Sequence, residues 1–339
     1  MKQLTAHRVL VVTDKFFADS GLAAQVGARI GGAAVEIFAD VKPDPALELV
    51  AQGLRRMQDL QPEVVIALGG GSAIDCAKAM VYFYEPEVLF VAIPTTSGTG
   101  SEVTSFSILT HDGAKHPLID EKLLPQIAIL DASLLEKLPK KLIADAGMDV
   151  LTHALEAVCA KDCTPFATAL ATEAFARVYA QLNASYQGST QVRSDIHIAA
   201  TMAGLAFDNA GLGVCHALAH ALGGAFHTPH GRLNAILLPT VIEFNAEVCA
   251  APYRQIAARC GLLGATDTLT VKALIRALIQ LRRQLEMPRS LQQAGIAPDA
   301  LKAQLHKLAE TASQDPCLSG NPRPVTVSQL EQLIWAVAT

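Results

Sequence analysis

The stretch that most limits how this chain can fold is Gly211–Gly231, GLGVCHALAHALGGAFHTPHG, which packs four of the ten histidines into fifteen residues of an apolar run. Such a run belongs inside a protein, where a neutral imidazole left unpaired costs about 1–3 kcal/mol. A lone buried histidine is most often a hydrogen-bonded core residue. A cluster needs several partners at once, and a divalent cation supplies them. His216 and His220 are four apart and share one face of a helix. His230 stands in a Thr-Pro-His-Gly turn, where the chain leaves that helix. A carboxylate comes from an earlier stretch, AGMDVLTHALEA over 146–157, in which Asp149 and His153 repeat the four-residue spacing. Asp149, His153, His216 and His230 make one carboxylate and three imidazoles, a set suited to Fe(II) or Zn(II) rather than to Mg or Ca. Spacing alone leaves two unrelated helices with incidental histidines as the competing explanation.

Ahead of these stretches the pattern is different. The runs 8–13, 34–38, 64–68 and 89–93 read as strands, and 20–31, 46–60 and 73–84 as the helices between them. Strands alternating with helices predict a parallel, doubly wound sheet. From about residue 134 Ala- and Leu-rich helical runs follow one another, with a break at Leu138-Pro139 and a closing helix over 327–338. The expected fold is therefore an α/β Rossmann-like parallel-sheet domain over 1–135 followed by an all-α domain over 136–339.

At 339 residues the chain is long enough for two domains, and 51% apolar with 17% charged residues fits a compact enzyme. A net charge of -5 argues against nucleic acid or anionic membrane as partner. No run of eighteen apolar residues suggests a membrane span, and the first residues lack the apolar core of a signal peptide. Seven scattered cysteines suggest a reducing compartment, so the expected location is the cytoplasm. Cys159 and Cys163 are four apart, but no second pair completes a metal site.

Two Gly-rich loops follow strands. Gly69-Gly70-Gly71-Ser72 opens a helix that carries Asp75, and glycines there let backbone approach a pyrophosphate at a helix N-terminus. A tight strand-to-helix turn is the plain alternative. The sequence is not G-x-G-x-x-G and follows a later strand than that fingerprint does. Pro94-Thr-Thr-Ser-Gly-Thr-Gly-Ser-Glu102 is the second loop, which by itself reads as an ordinary Ser/Thr turn.

The segments GMDVLTHALEA, GLGVCHALAH and GAFHTPHG, together with the GGGS loop, resemble the signature segments of the iron-type (group III) alcohol dehydrogenases, and the similarity runs over nearly the whole chain. The resemblance implies a dehydroquinate synthase-like two-domain architecture. It implies that Asp149, His153, His216 and His230 are metal ligands and that His220 lies by the nicotinamide without binding metal. It assigns Gly69, Gly70, Gly71, Ser72, Asp75, Thr95, Thr96, Thr99 and Lys115 to the NAD(H) site. A carboxylate at the end of the second strand reads the ribose 2′-OH of NAD and repels a 2′-phosphate. Relatives that use NAD often carry an aromatic-Asp-Gly triplet there; this chain has Phe38-Ala39-Asp40, and Asp40 is taken as the reader.

The activity implied is reversible hydride transfer between NAD(H) and a short-chain primary alcohol or aldehyde lying in the cleft between the domains. Fe(II), or Zn(II) in its place, acts as a Lewis acid on the substrate oxygen. His220 has two readings, proton relay or orientation of the metal's surroundings. The stretches 42–45, 57–62 and 223–227 are similar to the branch of the family that serves propanediol- and ethanolamine-utilisation microcompartments. That likeness implies propanal or acetaldehyde as substrate, with microcompartment enzymes or shell as partners. A homodimer is the family's usual assembly; the strand-forming segment that relatives place ahead of the first sheet strand is not seen here, which leaves the dimer open. The alternatives are a glycerol dehydrogenase-like polyol oxidoreductase, against which His153 speaks as a fourth ligand, and an NAD- and metal-dependent lyase of the dehydroquinate synthase type. A catalytically idle microcompartment partner is a third.

Overall fold

The structure, a computed structural model, describes residues 5–111 and 114–339; Met1–Leu4, at the start of the N-terminal stretch read above, and Asp112–Gly113 lie outside the described residues. The chain divides into two compact units, Met1–Leu135 and Glu136–Thr339.

The first unit is built on a five-stranded parallel sheet. Its strands are β1 (Arg8–Asp14), β2 (Ala34–Val41), β3 (Val64–Gly69), β4 (Leu89–Pro94) and, after a hairpin, the short β7 (Ile127–Ala128). They lie in the order β2-β1-β3-β4-β7. The near-continuous apolar runs of β1, β3 and β4 are explained by cover on both faces. Successive side chains alternate between those faces. Leu10, Val12, Val65 and Ala67 pack with Met57 of α3 (Leu47–Leu60) and Ile74 and Met80 of α4 (Gly71–Phe83). Val9, Val11, Ile66 and Leu68 pack on the other face with Ala23 of α2 (Leu22–Gly27) and Phe17 of α1 (Lys15–Asp19). The helix expected over 20–31 is therefore shorter and preceded by α1. The chain winds from β1 outward to β2 and then returns to β3 on the other side of β1, so strand order reverses between β1 and β3. In open sheets of this kind the crevice outside the strand C-termini at such a reversal is where ligands bind.

The antiparallel hairpin of β5 (Phe106–His111) and β6 (Ala114–Ile119) was not legible in the sequence. It carries Pro117 and several polar residues, which a two-stranded ribbon accepts because its strands have free edges.

The second unit is helical: α5 (Lys140–Cys159), α6 (Pro165–Tyr186), α7 (Arg193–Ala210), α8 (Val214–Phe226), α9 (His230–Arg259), α10 (Asp267–Gln284), α11 (Pro298–Ser313) and α12 (Val327–Ala336). Every residue of α5 from Gly147 to Cys159 is buried. A helix buried all round lies inside the bundle, here among α6, α7 and α9. Its polar residues must therefore find partners in the core. The 30-residue α9 is long and apolar enough to cross a membrane, but its apolar surface is mostly packed inside the unit. His230 is the first residue of α9, behind the N-cap Pro229, rather than a member of the preceding turn.

Candidate active site

Three helices of the second unit bring the sequence-nominated donors together. Asp149 and His153 lie one turn apart on α5, His216 is in the first turn of α8, and His230 opens α9. One donor atom from each of Asp149, His153 and His216 lies within 4.8 Å of the other two, and all three residues are buried. His230 stands beside them: its Nε2 is 3.5 Å from Asp149 Oδ1, and His216 Nε2 is 3.7 Å from the same oxygen. The His153 and His216 rings stack with centroids 4.6 Å apart. One carboxylate oxygen faced by several imidazole nitrogens is a donor set of the kind that Fe(II) and Zn(II) take.

The electrostatics agree. Burial by itself raises the Asp149 carboxyl, but the imidazoles of His153, His230 and His216 outweigh it and hold the group well below the ordinary carboxylate range. Burial lowers the His216 imidazole, but Asp149 and Glu156 overcome that and push it up to about 9. A negative charge at Asp149 thus draws positive charge into the set, as proton or as metal.

Four neighbours that the sequence reading did not assign complete the picture. Glu156, buried on α5, places Oε2 2.5 Å from His216 Nδ1. Asn234, fully buried one turn after His230 on α9, donates through Nδ2 to Asp149 Oδ1 at 2.7 Å. That same nitrogen lies 3.2 Å from His216 Nε2 and 3.1 Å from His230 Nε2. Their spacing was the available signal: Glu156 is three residues after His153 and Asn234 four after His230, so each shares a helix face with a donor. Gly231 explains how α9 reaches the set. A Cβ there would lie 2.0 Å from the backbone oxygen of Asp145 on α5, so only glycine allows this approach. Arg232 then grips the Asp145 carboxylate with Nε at 3.2 Å and Nη2 at 2.8 Å.

His220, one turn along α8 from His216, lies outside the Asp149 group. Its ring stacks on His230 at 4.9 Å, and its Nδ1 is 2.8 Å from Asp315 Oδ2. Burial raises the Asp315 carboxyl, but the bond and charge of His220, with the hydrogen bonds from Cys317, more than reverse this and hold it low. The other Asp315 oxygen accepts from the Cys317 backbone N–H at the start of the 3-10 turn Pro316–Gly320. Donor atoms of His220, Asp315 and Cys317 also lie within 4.8 Å of one another. His227, in left-handed conformation, ends α8.

In the first unit the two Gly-rich loops are neighbours. Gly69 pairs with Pro94 at the C-terminal edge of the sheet, and Thr95 N–H donates to Gly69 O at 2.9 Å. Gly70 caps α4 and Gly71 is its first residue. Cβ atoms added there would meet Thr96 at 3.3 Å and Thr99 at 2.8 Å. Bare backbone at a helix N-terminus beside hydroxyls is a setting that receives phosphate. Ser72 is half-buried in the first turn of α4. Asp75 is engaged within the protein: it accepts from Ser101 Oγ at 2.6 Å and Ile108 N at 3.3 Å. Burial raises its carboxyl, against the pull of Lys78 and Lys115. Lys78, also unassigned by the sequence reading, is fully buried and donates to the Thr104 and Phe106 carbonyls at 2.6 and 2.7 Å. Lys115, on β6, pairs with Asp44 at 2.8 Å. Asp40 is exposed within β2, at the edge of the sheet.

The profile of the family described as iron-containing alcohol dehydrogenase matches residues 1–132, and that of the Fe-containing alcohol dehydrogenase family, C-terminal, matches residues 143–338. The chain belongs to the iron-containing alcohol dehydrogenase family. It is an oxidoreductase, and the iron and NAD(H) that the family uses are the groups its two units must be tested against. It is 41% identical to the 1-propanol dehydrogenase PduQ of Citrobacter freundii, over 98% of this chain and 94% of that one. It is 39% identical to an NADPH-dependent butanol dehydrogenase of Clostridium saccharobutylicum, over 90% of this chain and 84% of that one. Among solved structures, the iron-containing alcohol dehydrogenase of Thermococcus thioreducens superposes with a TM-score of 0.91 at 31% identity, covering 98% of this chain and 93% of that one.

Proposed function

We propose that the protein transfers hydride reversibly between NAD(H) and short-chain primary alcohols or aldehydes, such as 1-propanol and propanal or ethanol and acetaldehyde, with Fe(II) held by Asp149, His153, His216 and His230. The observation that carries this reading is the convergence of one buried carboxylate and the imidazoles on a single point of the helical unit. A divalent metal held there supplies Lewis acidity toward an alcohol or carbonyl oxygen. Zn(II) fits the same donors, and the affinity order favours it over Fe(II).

The chain's own residues do the rest. Asp149 provides the negative charge that keeps a cation in the core, and Asn234 holds its Oδ1. His220, fixed by Asp315 at Nδ1, keeps Nε2 for passing a proton to or from the substrate oxygen. Gly69, Gly70, Gly71 and Ser72 receive the pyrophosphate at the N-terminus of α4, and Thr95, Thr96 and Thr99 line the neighbouring loop. Asp75 ties α4 to that loop through Ser101, and Lys115 lies close enough to act on the Asp75 carboxyl. Asp40 selects NAD over NADP by repelling a 2′-phosphate. The butanol dehydrogenase relative is named for NADPH, so this choice is tested directly. The similarity to a 1-propanol dehydrogenase supports propanal as the first substrate to try, and the family likeness of 42–45, 57–62 and 223–227 points to a microcompartment as the setting.

The deciding assay follows NADH consumption with propanal by protein stripped of metal and reconstituted anaerobically with Fe(II) or Zn(II), with NADPH in parallel. Activity restored by either metal with NADH supports the reading. Silence with both metals, in folded protein that binds NADH, overturns it.

A further inference from the structure

We infer that Glu156 is a positioning residue for the metal centre, holding His216 with its Nδ1 hydrogen on the carboxylate and its Nε2 turned toward Asp149. This deepens the metal-binding reading above and rests on it. Four observations carry it. Glu156 Oε2 lies 2.5 Å from His216 Nδ1, with both side chains about 5% exposed or less. A carboxylate accepts and does not donate, so the nitrogen facing it carries the hydrogen. Nε2, on the far side of the ring, is the nitrogen that faces Asp149 Oδ1, 3.7 Å away.

The same carboxylate also binds backbone. Oε1 accepts the Cys215 N–H at 2.7 Å and Oε2 the His216 N–H at 3.4 Å. Glu156 thereby holds His216 at two points, main chain and ring, which fixes the ring's direction as well as its tautomer. It also caps α8, whose N-cap Gly213 has no side chain to do so.

The backbone is arranged to admit this side chain. A Cβ on Gly213 would lie 2.9 Å from Glu156 Oε1 and 2.9 Å from Asn321 Oδ1. Asn321 Oδ1 in turn accepts from Val214 N at 3.3 Å and from Asn245 Nδ2 at 3.0 Å. Glu156, Gly213 and Asn321 together form the seat for the start of α8. Finally, Glu156 follows His153 by three residues on α5, so one helix face supplies two metal donors and the residue that aims a third. A carboxylate behind a ligating imidazole raises the basicity of its other nitrogen.

Glu156→Gln keeps the shape and an acceptor oxygen but removes the charge. Competitive chelator titration with Zn(II) is expected to show about 10- to 100-fold weaker binding in E156Q than in wild type. The Co(II)-substituted protein is expected to show a displaced visible spectrum. A residue that served only as a helix cap would lower Tm equally with and without metal, leaving Zn(II) affinity and the Co(II) spectrum unchanged; that result overturns the inference. Wild-type protein that takes up no Zn(II) in the same titration overturns the metal-centre reading itself. Should E156Q not fold, NMR of the histidine rings in Zn(II)-loaded wild type decides: hydrogen on His216 Nδ1 with Nε2 bound supports the inference, and the reverse assignment overturns it.

Discussion

His216 stands between two carboxylates, Asp149 beyond Nε2 and Glu156 at Nδ1, and much of the site's behaviour follows from that position. With an imidazole pushed up to about 9, its contribution in metal-stripped protein is present in full below its ordinary value of 6.5. That contribution is lost as pH rises through about 9, because the folded state then gives up a proton it had held more tightly than the unfolded chain. Metal-stripped protein is therefore expected to lose Tm between pH 6.5 and 9, and metal-loaded protein to keep it, since the metal replaces the proton. Parallel thermal melts across that range check this; coincident curves would contradict it. His216→Ala is expected to abolish stoichiometric metal retention, measured by elemental analysis after gel filtration. Full metal content with full activity would remove His216 from the ligand set. At Asp40 the expected effect is selectivity: Asp40→Ala raises the NADPH-to-NADH ratio of kcat/KM, because a 2′-phosphate no longer meets a carboxylate. An unchanged ratio would strike Asp40 from the cofactor site.

Among the elements, α9 shows how a local sequence serves a distant partner. Pro229 caps the helix, His230 opens it, and Gly231 allows its backbone to meet the Asp145 carbonyl of α5. Gly231→Ala must push two backbones apart, because the clash is with main chain rather than a flexible side chain. It is expected to cost about 1–3 kcal/mol of stability and, by moving His230 from Asp149, to weaken metal binding as well. A variant with lowered Tm and wild-type metal affinity would separate the helix contact from the site. The helical character of α5 and α8 was readable from sequence, and the four-residue spacing placed Asp149 with His153 on one helix face; His216 and His230 joined them as candidate donors only through the histidine cluster and the family resemblance. Glu156 and Asn234 sat within readable helices but gained meaning only when α8 came to rest against α5 and α9. The β5–β6 hairpin escaped because Pro117 and its polar neighbours lack the apolar alternation that announces a strand.

For the whole molecule, the glycine and threonine loops belong to the first unit and the donor set to the second. Each ligand should therefore protect its own unit. Hydrogen exchange is expected to slow at 69–75 and 95–101 on adding NADH, and in α5, the start of α8 and the start of α9 on adding metal. Ligand binding stabilises by mass action, about 2.7 kcal/mol at a hundredfold excess over Kd, which is ample to register. NADH protection confined to the helical unit would refute the assignment of the Gly-rich loops.

The sequence by itself determined the alternation of strands and helices, the change of texture near residue 134 and the two Gly-rich loops, and it nominated four candidate donors. The elements and loops rest on local spacing, which the backbone's fixed periodicities translate directly into faces and turns; the donor set joins distant stretches and came from the histidine cluster and the family resemblance. Tertiary structure alone decided the strand order β2-β1-β3-β4-β7, which places the glycine loop beside the point where that order reverses. It also decided the pairing of Glu156 with His216 across 60 residues and of Asp315 with His220 across 95. Such pairings depend on which helices pack together, a property of the filled core that no window of neighbouring residues contains.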